Sequence, residues 1–378
     1  MGYHAAAVGN HEFDFGKENA EDEDPFSAIK ARGVQADFPM LAANIFEKKT
    51  KKKIQWDGFA THLWLDIKGV RIAIIGGATR GTARATARYV GEDLYFKSLN
   101  SVLVPLARKV RHEGADIVIA VVHAGGGCKQ GSDEDDLDKC DRHSELFRLA
   151  ESMPEGLIDA IAGGHTHKTV AHRVNRIALI ESRALGRMFG RVRFKLDEGR
   201  LVKTEIMSPS PICHELPLGE DSCFFVEPKS SKTEPATFQG MAIAPTRFLD
   251  KVLSDRARKI MKESKAVLGV TAKTRLYREW GKDNPMGIIL ADALMAHYPE
   301  ADLAMANESG IRSGLPQGSL TFGDVFQVFP FNSTATLMSI RGRDLLDLLR
   351  LATSGAQGGL VVGGIRLVTD NRADECIR

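Results

Sequence analysis

The sequence predicts an α/β protein with two parts: a layered α/β domain followed by a smaller α/β domain. Three observations lead there. Continuous apolar runs, above all residues 116–122 and 157–162, alternate with stretches of helical spacing. Polar groups recur just after those runs, as they do along the edge of a layered sheet. A proline-rich stretch, 209–245, interrupts the pattern between the two halves. The expected boundaries are 1–208, a linker or surface excursion at 209–245, and 246–378 with a leading helix.

The totals fit this division. At 378 residues the chain is too long for one typical core. Its 43% hydrophobic and 26% charged content is ordinary for a globular protein. A formal net charge of +2 gives no electrostatic case for a nucleic-acid polymer or a membrane surface as partner. The longest apolar runs are about ten residues, against the ~20 that span a bilayer, so no transmembrane segment is expected. No basic segment followed by an apolar one opens the chain, so no signal peptide is visible. Nothing bears on oligomeric state.

Taken in order, Ala5-Ala6-Ala7-Val8 reads as the end of a strand that runs into Gly9-Asn10-His11-Glu12-Phe13-Asp14. Residues 18–33 read as an acidic start and a helix, and 38–46 as a strand ending at Asn44. The basic run 48–53 reads as a solvated hairpin tip. Residues 59–67 and 70–76 form a hairpin with Lys68-Gly69 as its turn. Residues 99–112 show helical spacing at Val102, Leu103, Leu106 and Val110. Residues 116–122 form a strand buried on both faces that delivers His123. An acidic loop follows, with Asp133, Glu134, Asp135, Asp136 and Asp138; it lacks EF-hand spacing and reads as solvated. A helix at 143–153 and a strand at 157–162 lead to Gly163-Gly164-His165-Thr166-His167. Closing strands are expected at 176–182 and 190–196. Beyond the proline-rich stretch, helices are expected at 246–265, 286–297, 322–329 and 344–353, and strands at 303–306 and 337–340.

Five cysteines are present. Cys128 and Cys140 flank one loop and Cys213 and Cys223 another, spacings compatible with two local disulfides or with reduced thiols; Cys376 stands alone.

Asn10 and the histidines at strand ends suit a borderline divalent metal such as zinc or manganese. Asp14, three residues past His11, suits an acceptor that orients its ring. Gly9-Asn10-His11, Val122-His123-Ala124-Gly125 and Gly164-His165-Thr166-His167, in that order, resemble the metallophosphoesterase (calcineurin-like) superfamily and its 5′-nucleotidase branch. Asn307-Glu308-Ser309-Gly310-Ile311-Arg312 and Val328-Phe329-Pro330-Phe331-Asn332 resemble the nucleotide-binding motifs of that branch's C-terminal domain. The resemblance implies a four-layer sandwich plus a smaller α/β substrate domain, with the chain cut at both ends.

It also implies roles. Asn10, His123 and His165 would ligate one of two divalent ions (zinc, manganese or similar), and His167 the other. His11, oriented by Asp14, would contact the phosphate or the leaving oxygen. Two further family motifs would precede Gly9. Only eight residues do so here, and none is Asp; three expected ligands are therefore absent, and the chain is expected to hold metal weakly. His4 is the one potential ligand upstream. In the second domain, Arg312 and one of Arg275 and Arg278 would clamp the substrate. Asn307 would hydrogen-bond the base and Phe331 would stack on it.

The expected function is metal-dependent hydrolysis of nucleotide phosphate monoesters, extending to nucleotide sugars or 2′,3′-cyclic nucleotides, in a periplasmic or extracellular protein. The alternatives are a sulfur-ester hydrolase on the same scaffold and a non-catalytic nucleotide-binding protein.

Overall fold

The computed structural model describes residues 2–129, 133–213, 215–217, 232–244, 246–278, 284–331, 333–353 and 359–365. The chain divides into two compact units, Met1–Ala244 and Pro245–Arg378.

The first unit opens with β1 (Ala6–Ala7) and α1 (Ser27–Gln35), followed by β2 (Met40–Leu41), β3 (Ile45–Glu47) and β4 (Phe59–Ala60). The hairpin of β5 (His62–Ile67) and β6 (Val70–Ala78) turns at Lys68 and Gly69, both at positive φ as a tight two-residue turn requires. After α2 (Arg88–Asp93) and β7 (Leu94–Phe96) come α3 (Leu99–His112), β8 (Ile117–His123), α4 (Glu145–Glu151) and β9 (Ala160–Ala162). β10 (Thr169–Val174), β11 (Ile177–Ser182), β12 (Met188–Asp197) and β13 (Arg200–Pro211) follow.

The central sheet has the order β10-β11-β9-β8-β6-β5. Its inner four strands are parallel, and an antiparallel strand lies at each edge. That explains why β8 is apolar from Ile117 to Val122: these residues are covered from both sides. On one face, Val102, Leu103, Leu106 and Val110 of α3 bury against Ala73, Ile75, Val118 and Ala120 of the sheet. Each fully buried side chain of this size contributes about 1.5–3 kcal/mol. Pro105 sits inside α3, and the helix continues through it.

A second, three-stranded sheet, β1-β2-β4, brings Val8, Met40 and Ala42 into a separate core with Phe13, Phe26 and Ile29 of the α1 side. The two sheets meet where Gly76 faces Leu41: a Cβ on Gly76 would lie 2.8 Å from the Leu41 Cβ, so only glycine permits the approach. The layers therefore run helix, sheet, sheet, helix.

Several expectations change here. The strand expected over 38–46 is two short strands. Asn44 interrupts them by turning its amide inward, donating to Ala78 O (2.6 Å) and Lys97 O (2.7 Å) and accepting from Ala78 N (2.9 Å). Within 209–245 the described residues carry short strands. β13 extends to Pro211, and short pairs form between β14 (Glu215–Pro217) and β15 (Thr233–Pro235), and between β16 (Thr237–Phe238) and β17 (Met241–Ala242). Cys128 and Cys140 form a disulfide. Cys213 is also disulfide-bonded; Cys223 and Cys376 lie outside the described residues.

The second unit begins with α5 (Arg247–Ser264) and β18 (Val267–Ala272), followed by α6 (Pro285–His297) and β19 (Ala304–Asn307). It continues with β20 (Gly318–Thr321), α7 (Phe322–Val328), α8 (Gly342–Thr353) and β21 (Leu360–Gly363). β18 pairs with β20 and β19 with β21, all antiparallel. Met286, Ile311, Leu315, Leu320 and Val328 form its core. Asn284 caps α6 by accepting from Met286 N–H (3.2 Å), with Pro285 at the first helical position. A reciprocal Thr321–Asp324 capping box starts α7. The strand expected at 337–340 does not form. Those residues have no ladder partner among the described residues, and Leu337 and Met338 are exposed. Among the described residues no helix is long and apolar enough to cross a membrane.

Candidate metal and phosphoester site

Parallel pairing explains why the histidines meet. Val121 of β8 is in register with Ala162 of β9. His123 and the Gly163–His167 turn therefore leave the sheet side by side at the strands' carboxyl ends. β1 runs alongside in the second sheet and leads, through Val8, whose N–H donates to Leu41 O (3.1 Å), to Gly9-Asn10. Gly9 fits tightly against the next strand end: a Cβ there would lie 2.7 Å from the His123 ring.

Three donor atoms converge. His123 Nε2 lies 2.8 Å from Asn10 Oδ1 and 3.1 Å from His165 Nδ1. Asn10 is buried. The His123 pKa is pushed down to about 4, first by burial and then by His165, His11 and His167. At neutral pH the ring is uncharged, with a lone pair to offer. The His165 pKa is lowered too, mainly by desolvation; Glu145 pulls it the other way. His167 stands close enough to act on His123 electrostatically. His165 (φ 82°) and His167 (φ 60°) both occupy the left-handed region, which is costly for residues other than glycine.

His11 begins a 3₁₀ turn, His11–Phe13, and its Nδ1 lies 2.7 Å from Asp14 Oδ2. Both side chains are partly exposed. With Asp14 accepting at Nδ1, the ring's Nε2 is directed away from the carboxylate. Glu12 Oε2 accepts from Gly9 N–H at 2.5 Å, closing the loop on itself. His4 is exposed.

Sequence reasoning missed a supporting group. Glu181, 1% exposed, accepts from Gly126 N–H (2.9 Å) and lies 2.7 Å from the Thr166 hydroxyl. Burial raises its pKa against these hydrogen bonds. The available signal was an acid inside the apolar run of β11. Thr79 bonds Glu145 at 2.5 Å, and its N–H donates to His123 O (3.0 Å), tying β6 to the end of β8. The acidic loop is anchored by Arg173–Glu134 and Lys139–Asp136 ion pairs, each 2.9 Å. An open cavity of about 800 Å³, lined in part by Arg173, Arg176, Glu155 and Glu205, contains none of the site histidines.

In the second unit, Arg312 donates to Ser309 O (3.0 Å), and its guanidinium lies 5.6 Å from the Phe331 ring centre. Phe331 meets Phe329 edge-on at 6.0 Å. Arg278 lies near Arg312, and desolvation followed by that charge lowers its pKa. Arg275 is instead exposed over Tyr277, 5.7 Å from the ring centre. The Asn307 side-chain oxygen caps the following 3₁₀ turn, accepting from Ser309 N–H (3.0 Å). Trp280–Asp283 and Asn332 lie outside the described residues.

The fold thus gathers the donor groups of Asn10, His123 and His165 near the ends of neighbouring strands. Residues 264–375 match the family described as 5′-nucleotidase, C-terminal domain. Protein UshA of Yersinia enterocolitica is 27% identical over 382 aligned positions, which cover 94% of this chain and 63% of UshA; the chain thus spans less than two thirds of that relative. The crystal structure of a 5′-nucleotidase precursor from Thermus thermophilus shares the fold at a TM-score of 0.67 and 19% identity, covering 97% of this chain and 66% of that one. The sulfate thiohydrolase SoxB of Thermus thermophilus shares it at 0.66 and 17%, covering 100% and 61%.

Proposed function

We propose that this chain takes part in metal-dependent hydrolysis of nucleotide phosphate monoesters: nucleoside 5′-monophosphate to nucleoside and phosphate, and related nucleotide-sugar or 2′,3′-cyclic nucleotide esters. The observation that carries this reading is the convergence of Asn10 Oδ1, His123 Nε2 and His165 Nδ1 within 2.8–3.1 Å, beside the His11–Asp14 pair. One amide oxygen and two imidazoles, with His123 held neutral, are a donor set that fits a borderline divalent cation. Asn10, His123 and His165 would hold one such ion, and His167 would serve a second.

Bound divalent ions supply an activated water and neutralise phosphoryl charge. The chain's own residues do the rest. Asp14 fixes the His11 ring so that Nε2 can donate a proton to a phosphoryl or leaving oxygen. Arg312, flanked by Arg278, offers a bidentate fork to an anionic group. Phe331 offers an aromatic face to the base, and Asn307 a polar edge. A periplasmic or extracellular setting fits the Cys128–Cys140 disulfide.

The test is phosphate release from AMP by this chain with manganese or zinc added, with a chelator as control and a sulfur ester as competing substrate. Chelator-sensitive release from AMP is expected. Turnover of the sulfur ester alone would replace this reading with the related hydrolase. AMP binding without turnover would replace it with a nucleotide-binding protein.

A further inference from the structure

The turn that carries His165 and His167 is strained, and something must hold it. Both histidines sit at positive φ, 82° and 60°. Each such residue costs on the order of 1–3 kcal/mol and persists only where its surroundings over-determine it. Thr166 stands between them at the surface, yet its hydroxyl is bonded inward. It lies 2.5 Å from Gly126 O and 2.7 Å from Glu181 Oε1. Glu181 Oε2 in turn accepts from Gly126 N–H at 2.9 Å. The single Thr166 hydroxyl proton is shared between the acceptors Gly126 O and Glu181 Oε1, and with the Gly126 N–H bond to Oε2 the three residues form one closed ring of polar contacts.

That ring joins three segments. Glu181 lies on β11, at the floor of the sheet and 1% exposed. Gly126 is three residues past His123, so its backbone fixes the chain leaving β8. Thr166 fixes the turn beyond β9. The packing leaves no slack, because a Cβ on Gly125 would lie 2.4 Å from Gly164 O. The two strand-end loops thus reach the donor cluster with their spacing set by one buried carboxyl group.

We propose that Glu181, acting through Thr166 and Gly126, is the positioning residue that holds His165 and His167 in register with His123, a role resting on the reading of that cluster as a metal site. The Glu181 carboxyl oxygens bond Gly126 and Thr166 rather than the donor atoms of the cluster. Removing it frees the turn to relax toward negative φ, which separates His165 from His123 while the sheet stays folded.

Two measurements on the full chain separate this proposal from the reading beneath it. The first is amide hydrogen exchange of residues 163–168 without metal, with α3 amides as internal reference. The second is Mn²⁺ titration. In Glu181→Ala and Thr166→Val, exchange at 163–168 should rise about tenfold or more with α3 unchanged, and Mn²⁺ affinity should fall 10- to 100-fold, as for outer-shell partners elsewhere. Thr166→Ser, which keeps the hydroxyl, should behave as wild type in both. The double variant should be no worse than the poorer single one, since both break the same ring. Wild-type exchange at 163–168 in Glu181→Ala would overturn the proposal, as would Thr166→Ser matching Thr166→Val. Absence of Mn²⁺ binding by the wild type would sink the metal-site reading, and the exchange data would still decide the positioning role.

Discussion

His123 Nε2 lies 2.8 Å from Asn10 Oδ1, a contact between residues 113 positions apart, one ending a strand of the central sheet and the other just past a strand of the second sheet. Neither residue is drawn there by local preference. Each follows an apolar run, and the packing of the two sheets brings them together. His165 then adds a second imidazole nitrogen 3.1 Å from the first.

The position of His11 separates chemistry from metal retention. It is paired with Asp14 at 2.7 Å, outside the converging trio. His11→Ala should lower turnover of AMP by roughly 10²–10⁴, the range for a lost general acid or base, while metal content changes little. Kinetics with parallel metal analysis check this. Equal losses in both would make His11 a ligand.

Phe331 should matter to nucleotides and not to small esters. Phe331→Ala should weaken AMP binding by about 1–3 kcal/mol, one base–aromatic stack, and spare a small chromogenic phosphate ester. Comparison of KM for the two substrates is the measurement. Equal effects on both would remove the stacking role.

His123 makes the metal-free protein sensitive to acid. Its pKa falls from 6.5 in an open chain to about 4 in the fold. Between those values the unfolded chain takes up a proton that the folded one refuses. The contribution of this ring to stability is therefore largest above pH 6.5, declines as the pH falls, and levels off below about 4. Urea unfolding across that range should show a steeper loss for wild type than for His123→Asn. Parallel curves would contradict the assignment.

The Cys128–Cys140 disulfide closes a loop over a sequence separation of 12. For loops of this length the chain-entropy model gives roughly 3 kcal/mol. Cys128→Ser with Cys140→Ser should lower unfolding free energy by about 2–4 kcal/mol in denaturant titration. An unchanged midpoint would show that the loop is held by its ion pairs instead.

Much of this site was legible in the sequence because its signals are local. A continuous apolar run ending in His123 announces a buried strand and what it delivers. The same holds for β9 and the Gly163–His167 turn, and the helical spacing over 99–112 is α3. What stayed hidden depends on distant partners. Glu181 looks like an ordinary acid until Gly126 and Thr166 fold over it. Asn44 was legible as a strand end, but not that Ala78 and Lys97 receive its amide. Arg275 and Arg278 have the same charge, and only folding puts Arg278 beside Arg312 and Arg275 over Tyr277. The strand expected at 337–340 had the right residues and found no neighbour to pair with among the described residues.

The most direct test of the central claim is a Mn²⁺ or Zn²⁺ titration of the wild-type chain beside Asn10→Ala and His123→Ala. The converging donors predict saturable binding by the wild type and a loss of more than about 100-fold in each variant, beyond the 10- to 100-fold typical of outer-shell changes. Binding of equal strength in all three proteins would place the metal elsewhere and contradict the account.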